Sequence, residues 1–187
     1  MNVQENAELK KCLDSKNIMV IAGEVNGEMV SHVMKTISLF FTKGSPDITI
    51  LIDSPGGDVY AGLDIYDFLK LYPGKKTAIV FRRAASMAAV ILQACEERYV
   101  TAHAAITIHH ISQKNVSLDL MRNHKEVREI RLDMEKKQAM LYSILVSRTG
   151  KSTKQVRDEC KKDRMLFPEE AIKFGLIDGI WNKPLPK

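Results

Sequence analysis

Short continuous apolar runs alternate along this chain with stretches whose apolar residues recur every three or four positions. The runs at 18–22, 48–52 and 77–81 read as strands buried on both faces. Between the first two, Met29, Val33, Ile37 and Phe40 mark one face of a helix that begins near Asn26 and ends at Gly44-Ser45-Pro46. A second helix is predicted over 59–71, where Pro73-Gly74 breaks it, and an apolar one over 87–94. Shorter strands are expected at 98–101 and 105–109. Strands alternating with helices of this length predict an α/β fold of repeated βαβ units around a largely parallel sheet.

The second half changes rhythm. No Gly or Pro interrupts the helical pattern between Ser117 and Gly150, which predicts one helix of about 50 Å at 1.5 Å per residue. A helix longer than a domain of this size is wide must project from it or pack on another subunit. Leu132, Leu141, Ile144 and Leu145, with Met134 and Met140 nearby, mark it as an association element. Ser152-Thr153-Lys154-Gln155 reads as a capping box opening a shorter helix. Phe167-Pro168-Glu169-Glu170 opens one more, with proline early and acids in the first turn, and Gly175 ends it before an extended segment at 176–181. Residues 1–17 are polar, with a short helix expected over 5–13.

Composition narrows the function classes. A length of 187 residues fits one domain, and no apolar run approaches the roughly 18 residues needed to cross a bilayer. The polar N-terminus lacks the apolar core of a signal peptide. Cys12, Cys95 and Cys160 are odd in number and lack metal-like spacing, so a reducing cytoplasm is expected, without disulfides, zinc or another cofactor. The net charge of +5 comes largely from beyond Arg122, where cations alternate with Glu126, Glu129, Asp133 and Glu135. That pattern is a solvated helix face, not a nucleic-acid surface.

Four features carry chemistry. Ser86 stands where the 77–81 strand, after Arg82-Arg83 and small residues, turns into an apolar helix. Such a junction offers a hydroxyl beside unpaired helix N-terminal amides, which is what a nucleophile and its oxyanion need. The plain alternative is an N-cap, a common use of serine. Ser54-Pro55-Gly56-Gly57 is either a tight turn or a backbone cradle; with no Gly-Lys-Ser/Thr after it, a nucleotide phosphate is disfavoured. His109-His110 ends a strand on the side where α/β proteins build sites, and alternation along a strand would let only one of the pair face a given pocket. Asp163, between cations, reads either as the orienter of a histidine base or as a surface ion pair.

Taken together, Ala84-Ala85-Ser86-Met87-Ala88, Ser54-Pro55-Gly56-Gly57, Ile106-Thr107-Ile108-His109, Asp163-Arg164 and the ending Glu169-Glu170-Ala171 with Phe174-Gly175-Leu176-Ile177-Asp178 resemble the Clp protease proteolytic subunit (ClpP) family over residues 18–181. The resemblance implies a ClpP/crotonase-like α/β fold with a projecting long-helix handle. One peptidase domain would span 18–187, with its head at 18–110 and 160–182 and its handle at about 111–150, after a divergent segment at 1–17. It also implies a serine endopeptidase that cleaves unfolded polypeptides or peptides inside an oligomeric ring. The triad would be Ser86, His109 and Asp163, and the backbone amides of Gly57 and Met87 would form the oxyanion hole. The implied partners are copies of the chain in one heptamer or stacked heptamers, and an AAA+ unfoldase.

Several positions depart from that pattern. Residues 1–17 lack the Asp-Ile-Tyr-Ser-Arg-Leu-Leu lead of the axial loops, which leaves docking to an unfoldase open. Lys161-Lys162 stand where an acid and an arginine usually join the rings, Arg82-Arg83 replace an uncharged approach to the nucleophile, and Ala88 replaces a common glycine. A catalytically silent ring subunit is the alternative reading. An acyl-CoA enzyme of the crotonase type, which needs no such triad, is a third.

Overall fold

In the computed structural model, which describes residues 7–112 and 117–185, the elements follow in the predicted alternation. Helix α1 (Ala7–Ser15) leads into β1 (Ile18–Val25), α2 (Gly27–Thr42), β2 (Ile48–Gly57), α3 (Val59–Leu71), β3 (Lys76–Ala85) and α4 (Met87–Leu92). Then come β4 (Glu97–Val100), β5 (Ala105–Thr107), α5 (Leu118–Arg122), α6 (His124–Thr149), α7 (Thr153–Cys160), β6 (Met165–Leu166), α8 (Pro168–Phe174) and β7 (Gly179–Ile180). Residues 1–6 of the expected N-terminal segment and 113–116 of the expected handle lie outside the described residues.

Five strands run parallel in the order β1-β2-β3-β4-β7. Past its pairing with β4, β3 continues alongside β5, again parallel, and β5 pairs antiparallel with β6. Ile21, Ile50, Ile52, Ile79 and Val80 are buried, as strands covered on both faces require. Helices α2, α3 and α4 pack on β1, β2 and β3 and on one another, so Met29, Val33, Ile37 and Phe40 join the same core as the strands. Among the described residues, no helix is long and apolar enough to cross a membrane.

Arg98 fastens the far edge of the sheet. Its guanidinium donates to Asp178 Oδ1 at 2.6 Å, to the buried Gln93 Oε1 at 2.6 Å and to the Gly175 carbonyl at 3.1 Å. Burial would raise the Asp178 pKa, but the hydrogen bonds and charge of Arg98 outweigh it and hold the carboxyl below its usual range.

The structure corrects the sequence reading in three places. Strands β2 and β3 do not stop at 52 and 81; they continue through register shifts, after Ile52 in β2, into the motif residues. The single long helix is two: Asn123, at φ −87° and ψ 87°, breaks it, and its Oδ1 accepts from the Glu126 N–H to cap α6. Helix α6 therefore spans 26 residues, about 39 Å. An Asn followed three positions later by Glu is a capping pair, and it ends a helix without any Gly or Pro. Finally, β6 is an addition and β5 ends two residues before the expected 109, because a two-residue strand has too little pattern to read. The N-terminal half of α6 buries no residue, while Leu141, Tyr142 and Leu145 near its other end anchor it to the core.

Candidate active site

The site forms where β2, β3 and β5 end. Ser86 has φ 55° and ψ −124°, a conformation a non-glycine residue adopts at a cost of about 1–3 kcal/mol. Its N–H donates to the Thr107 carbonyl at 2.9 Å, which fixes the turn against β5. Ser86 occupies the cap position of α4, yet its hydroxyl makes no capping bond. The N-cap alternative therefore falls, and the hydroxyl stands at a strained strand-to-helix turn.

Gly56 lies against that turn. A Cβ there would sit 2.5 Å from the Ala85 carbonyl, 2.7 Å from Ser86 Cβ and 2.8 Å from Met87 N, and φ is +84°. Only glycine allows the two backbones to approach this closely. A Cβ on Gly57 would collide with the Val25 carbonyl, so β1 excludes a side chain there as well. The buried Ser54 hydroxyl accepts from the Gly56 N–H at 3.0 Å and shapes the loop from within. The Ser54–Gly57 stretch is thus a strand end pressed onto the serine, not an isolated tight turn. The Met87 amide opens α4, where helix N–H groups lack an intrahelical partner.

Ser86, Gly56, Gly57, Met87, His109 and His110 line one cavity of about 520 Å³. Both histidines reach it, contrary to the alternation expected of a strand, because β5 has ended at Thr107 and its pleat no longer governs them. Ser86 and His109 are not hydrogen-bonded to each other. Instead His109 Nδ1 lies 2.7 Å from the carbonyl oxygen of His110. The His110 ring meets Tyr142 edge-on, with centroids 6.2 Å apart, and its Nε2 is buried with no hydrogen-bond partner among the described residues. The floor is apolar, a buried cluster of Met87, Val90 and Leu141 with Ile111 and Ile144 packed against it.

Charge gathers at the rim, where Glu24, Asp58 and Lys137 line the opening. Lys137 pairs with Asp133 at 2.6 Å and sits 4.3 Å above the Tyr60 ring. That hydrogen bond holds the Lys137 pKa above, and the Asp133 pKa below, the usual range. Gln138 is a site residue that the sequence does not announce: its Oε1 accepts from the Ile111 N–H at 2.7 Å, tying the segment after the histidines to α6. No local signal marks it, because its partner is distant in sequence.

Asp163 is not brought to the cavity. It is exposed, in the left-handed region at φ 44°, and makes no hydrogen bond or ion pair among the described residues. On either side, Lys162 and Arg164 reach the buried Glu159 at 2.5 and 3.2 Å. The β5–β6 ladder pairs Ile106 with Leu166 and Thr107 with Met165. Two more steps of that register would set His109 opposite Asp163.

A model of the Clp protease family matches residues 2–184. The chain belongs to the Clp protease family. Among solved structures, a ClpP1 mutant from Listeria monocytogenes is similar in fold at a TM-score of 0.83 and 24% identity, over 94% of this chain and 96% of that one. The α/β architecture described above is the ClpP fold. Membership of the Clp protease family supports a function of the serine-peptidase type.

Proposed function

We propose that this chain is a serine endopeptidase that hydrolyses unfolded polypeptides or peptides through Ser86, His109 and Asp163. The observation that carries the reading is Ser86 itself: a strained residue whose hydroxyl caps nothing, pressed by Gly56 and sharing a cavity with His109. In the reaction, His109 takes the Ser86 proton as Oγ attacks the peptide carbonyl. The backbone amides of Gly57 and Met87 hold the oxyanion, each donor contributing about 3–4 kcal/mol at the transition state. His109 returns the proton to the leaving amine, and water hydrolyses the acyl-enzyme. Asp163 completes the triad by placing its carboxylate charge beside the imidazolium once the β5–β6 register extends to it.

An oligomeric chamber belongs to the same proposal. Leu118, Met121, Leu132 and Met140 are exposed along α5 and α6, and burying them between copies would remove apolar surface from water. Native mass spectrometry is expected to give one heptamer or two stacked ones. An AAA+ unfoldase would feed the chamber; added unfoldase and ATP should then speed degradation of a folded substrate. The second reading, a silent ring subunit, draws on Asp163, which is exposed and does not line the cavity.

Intact-protein mass spectrometry after exposure to a fluorophosphonate decides between them. One adduct per chain, on Ser86 and lost in Ser86→Ala and His109→Ala, is the expected result. A folded oligomer that takes up no probe would establish the silent subunit.

A further inference from the structure

This inference rests on the reading of Ser86 and His109 as nucleophile and base. A backbone carbonyl offers only lone pairs, so at 2.7 Å from the His110 oxygen His109 Nδ1 must carry the proton and donate it. In the neutral ring Nε2 is then the unprotonated nitrogen, the one a base needs to accept a proton from serine. A triad carboxylate selects this same tautomer. The carboxylate candidate, Asp163, is exposed and bound to nothing among the described residues, so the tautomer is set without it.

We infer that the His110 main-chain carbonyl positions His109 as a base, so that Ser86 is acylated by a serine–histidine pair without requiring Asp163. The carbonyl sits one peptide from the imidazole it holds, and the contact needs neither β6 nor a neighbouring subunit. In the reaction with a fluorophosphonate, Ser86 Oγ forms a bond to phosphorus and the P–F bond breaks. Fluoride leaves, the serine proton passes to Nε2, and Nδ1–H remains donated to the carbonyl. What a carbonyl cannot supply is a full negative charge beside the imidazolium. Asp163 would add that charge when engaged, which makes it an accelerator of a pair already oriented.

The size of the effect separates this arrangement from an ordinary triad. Where the carboxylate alone fixes the tautomer, its replacement by asparagine costs about 10⁴-fold in kcat, because the ring settles in the wrong tautomer. Here the carbonyl keeps the right one. The test is the second-order rate of fluorophosphonate labelling on Ser86 in the full-length oligomer, for wild type, Asp163→Asn, Asp163→Ala and His109→Ala. Asparagine suits the left-handed turn at position 163, so that variant keeps the local backbone. Both Asp163 variants are expected to label within about 100-fold of wild type and well above His109→Ala. Imidazole ¹⁵N NMR of Asp163→Asn should still show His109 protonated at Nδ1. Asp163 variants that fall to the His109→Ala rate would overturn the inference and leave the triad standing. Labelling that survives His109→Ala would overturn the triad and the inference together.

Discussion

The two halves of this site are built differently. On the nucleophile side, Ser86 is enclosed by β2, β3, β5 and α4, with Gly56 packed against its Cβ and Thr107 holding its N–H. Its surroundings are core residues, and moving it means moving a close-packed interior. On the base side, His109 and Asp163 lie beyond the last pairs of a two-residue ladder, and the acid is exposed. The proposed nucleophile and hole are fixed by packing, whereas the proposed base and its carboxylate depend on a few hydrogen bonds at the fringe. Hydrogen bonds at an exposed sheet end open more easily than a core deforms. Regulation of such an enzyme would act where the structure is cheap to change.

Four experiments break or sharpen that contrast. Gly56→Val should have the largest effect, because a side chain at φ +84° strikes the Ser86 turn. Labelling and peptidase rates are expected to fall about 10²–10³-fold, with helical circular dichroism retained. Met165→Pro attacks the other side: Met165 is exposed on β6, so chemical denaturation should shift by under about 1 kcal/mol. The same change removes the N–H from a ladder that leads to Asp163, and kcat should drop about tenfold.

Arg98→Ala tests the sheet away from the site. It strands the buried Gln93 oxygen and unpairs Asp178, and is expected to cost about 3 kcal/mol in urea denaturation. Labelling of the surviving folded fraction should change little. The sign of its pH dependence follows from the lowered Asp178 pKa. The stabilisation is fully present above the unfolded value near 3.8 and is lost as pH falls through the lower folded value. Wild type should therefore lose stability on acidification below about pH 4 more steeply than Arg98→Ala. The smallest effect is Asn123→Ala, which removes the cap of α6 and should cost about 1 kcal/mol. A larger loss there would mean that α6 is more firmly built into the core than its exposed first half indicates.

Much of this architecture is legible in the sequence. The apolar runs announce β1, β2 and β3, and the spacing of Met29, Val33, Ile37 and Phe40 announces α2. The motifs single out Ser86, Gly57, Met87 and His109, and all four line the cavity. The break at Asn123, the two-residue β6 and the contact from Gln138 are not legible in the same way. A cap lacks hydrophobic periodicity, a two-residue strand has no period, and a hydrogen bond between distant residues leaves no local mark.

The chain's pattern by itself determined which segments become strands and helices, because side-chain period follows directly from backbone geometry. It also supplied the residue types that Ser–His chemistry requires. Only the tertiary structure decided that the Ser86 hydroxyl caps nothing, that His109 leans on its neighbour's carbonyl and that Asp163 faces solvent. Those are outcomes of which strand ends meet and where pairing stops, and they are set by packing between residues far apart in the sequence.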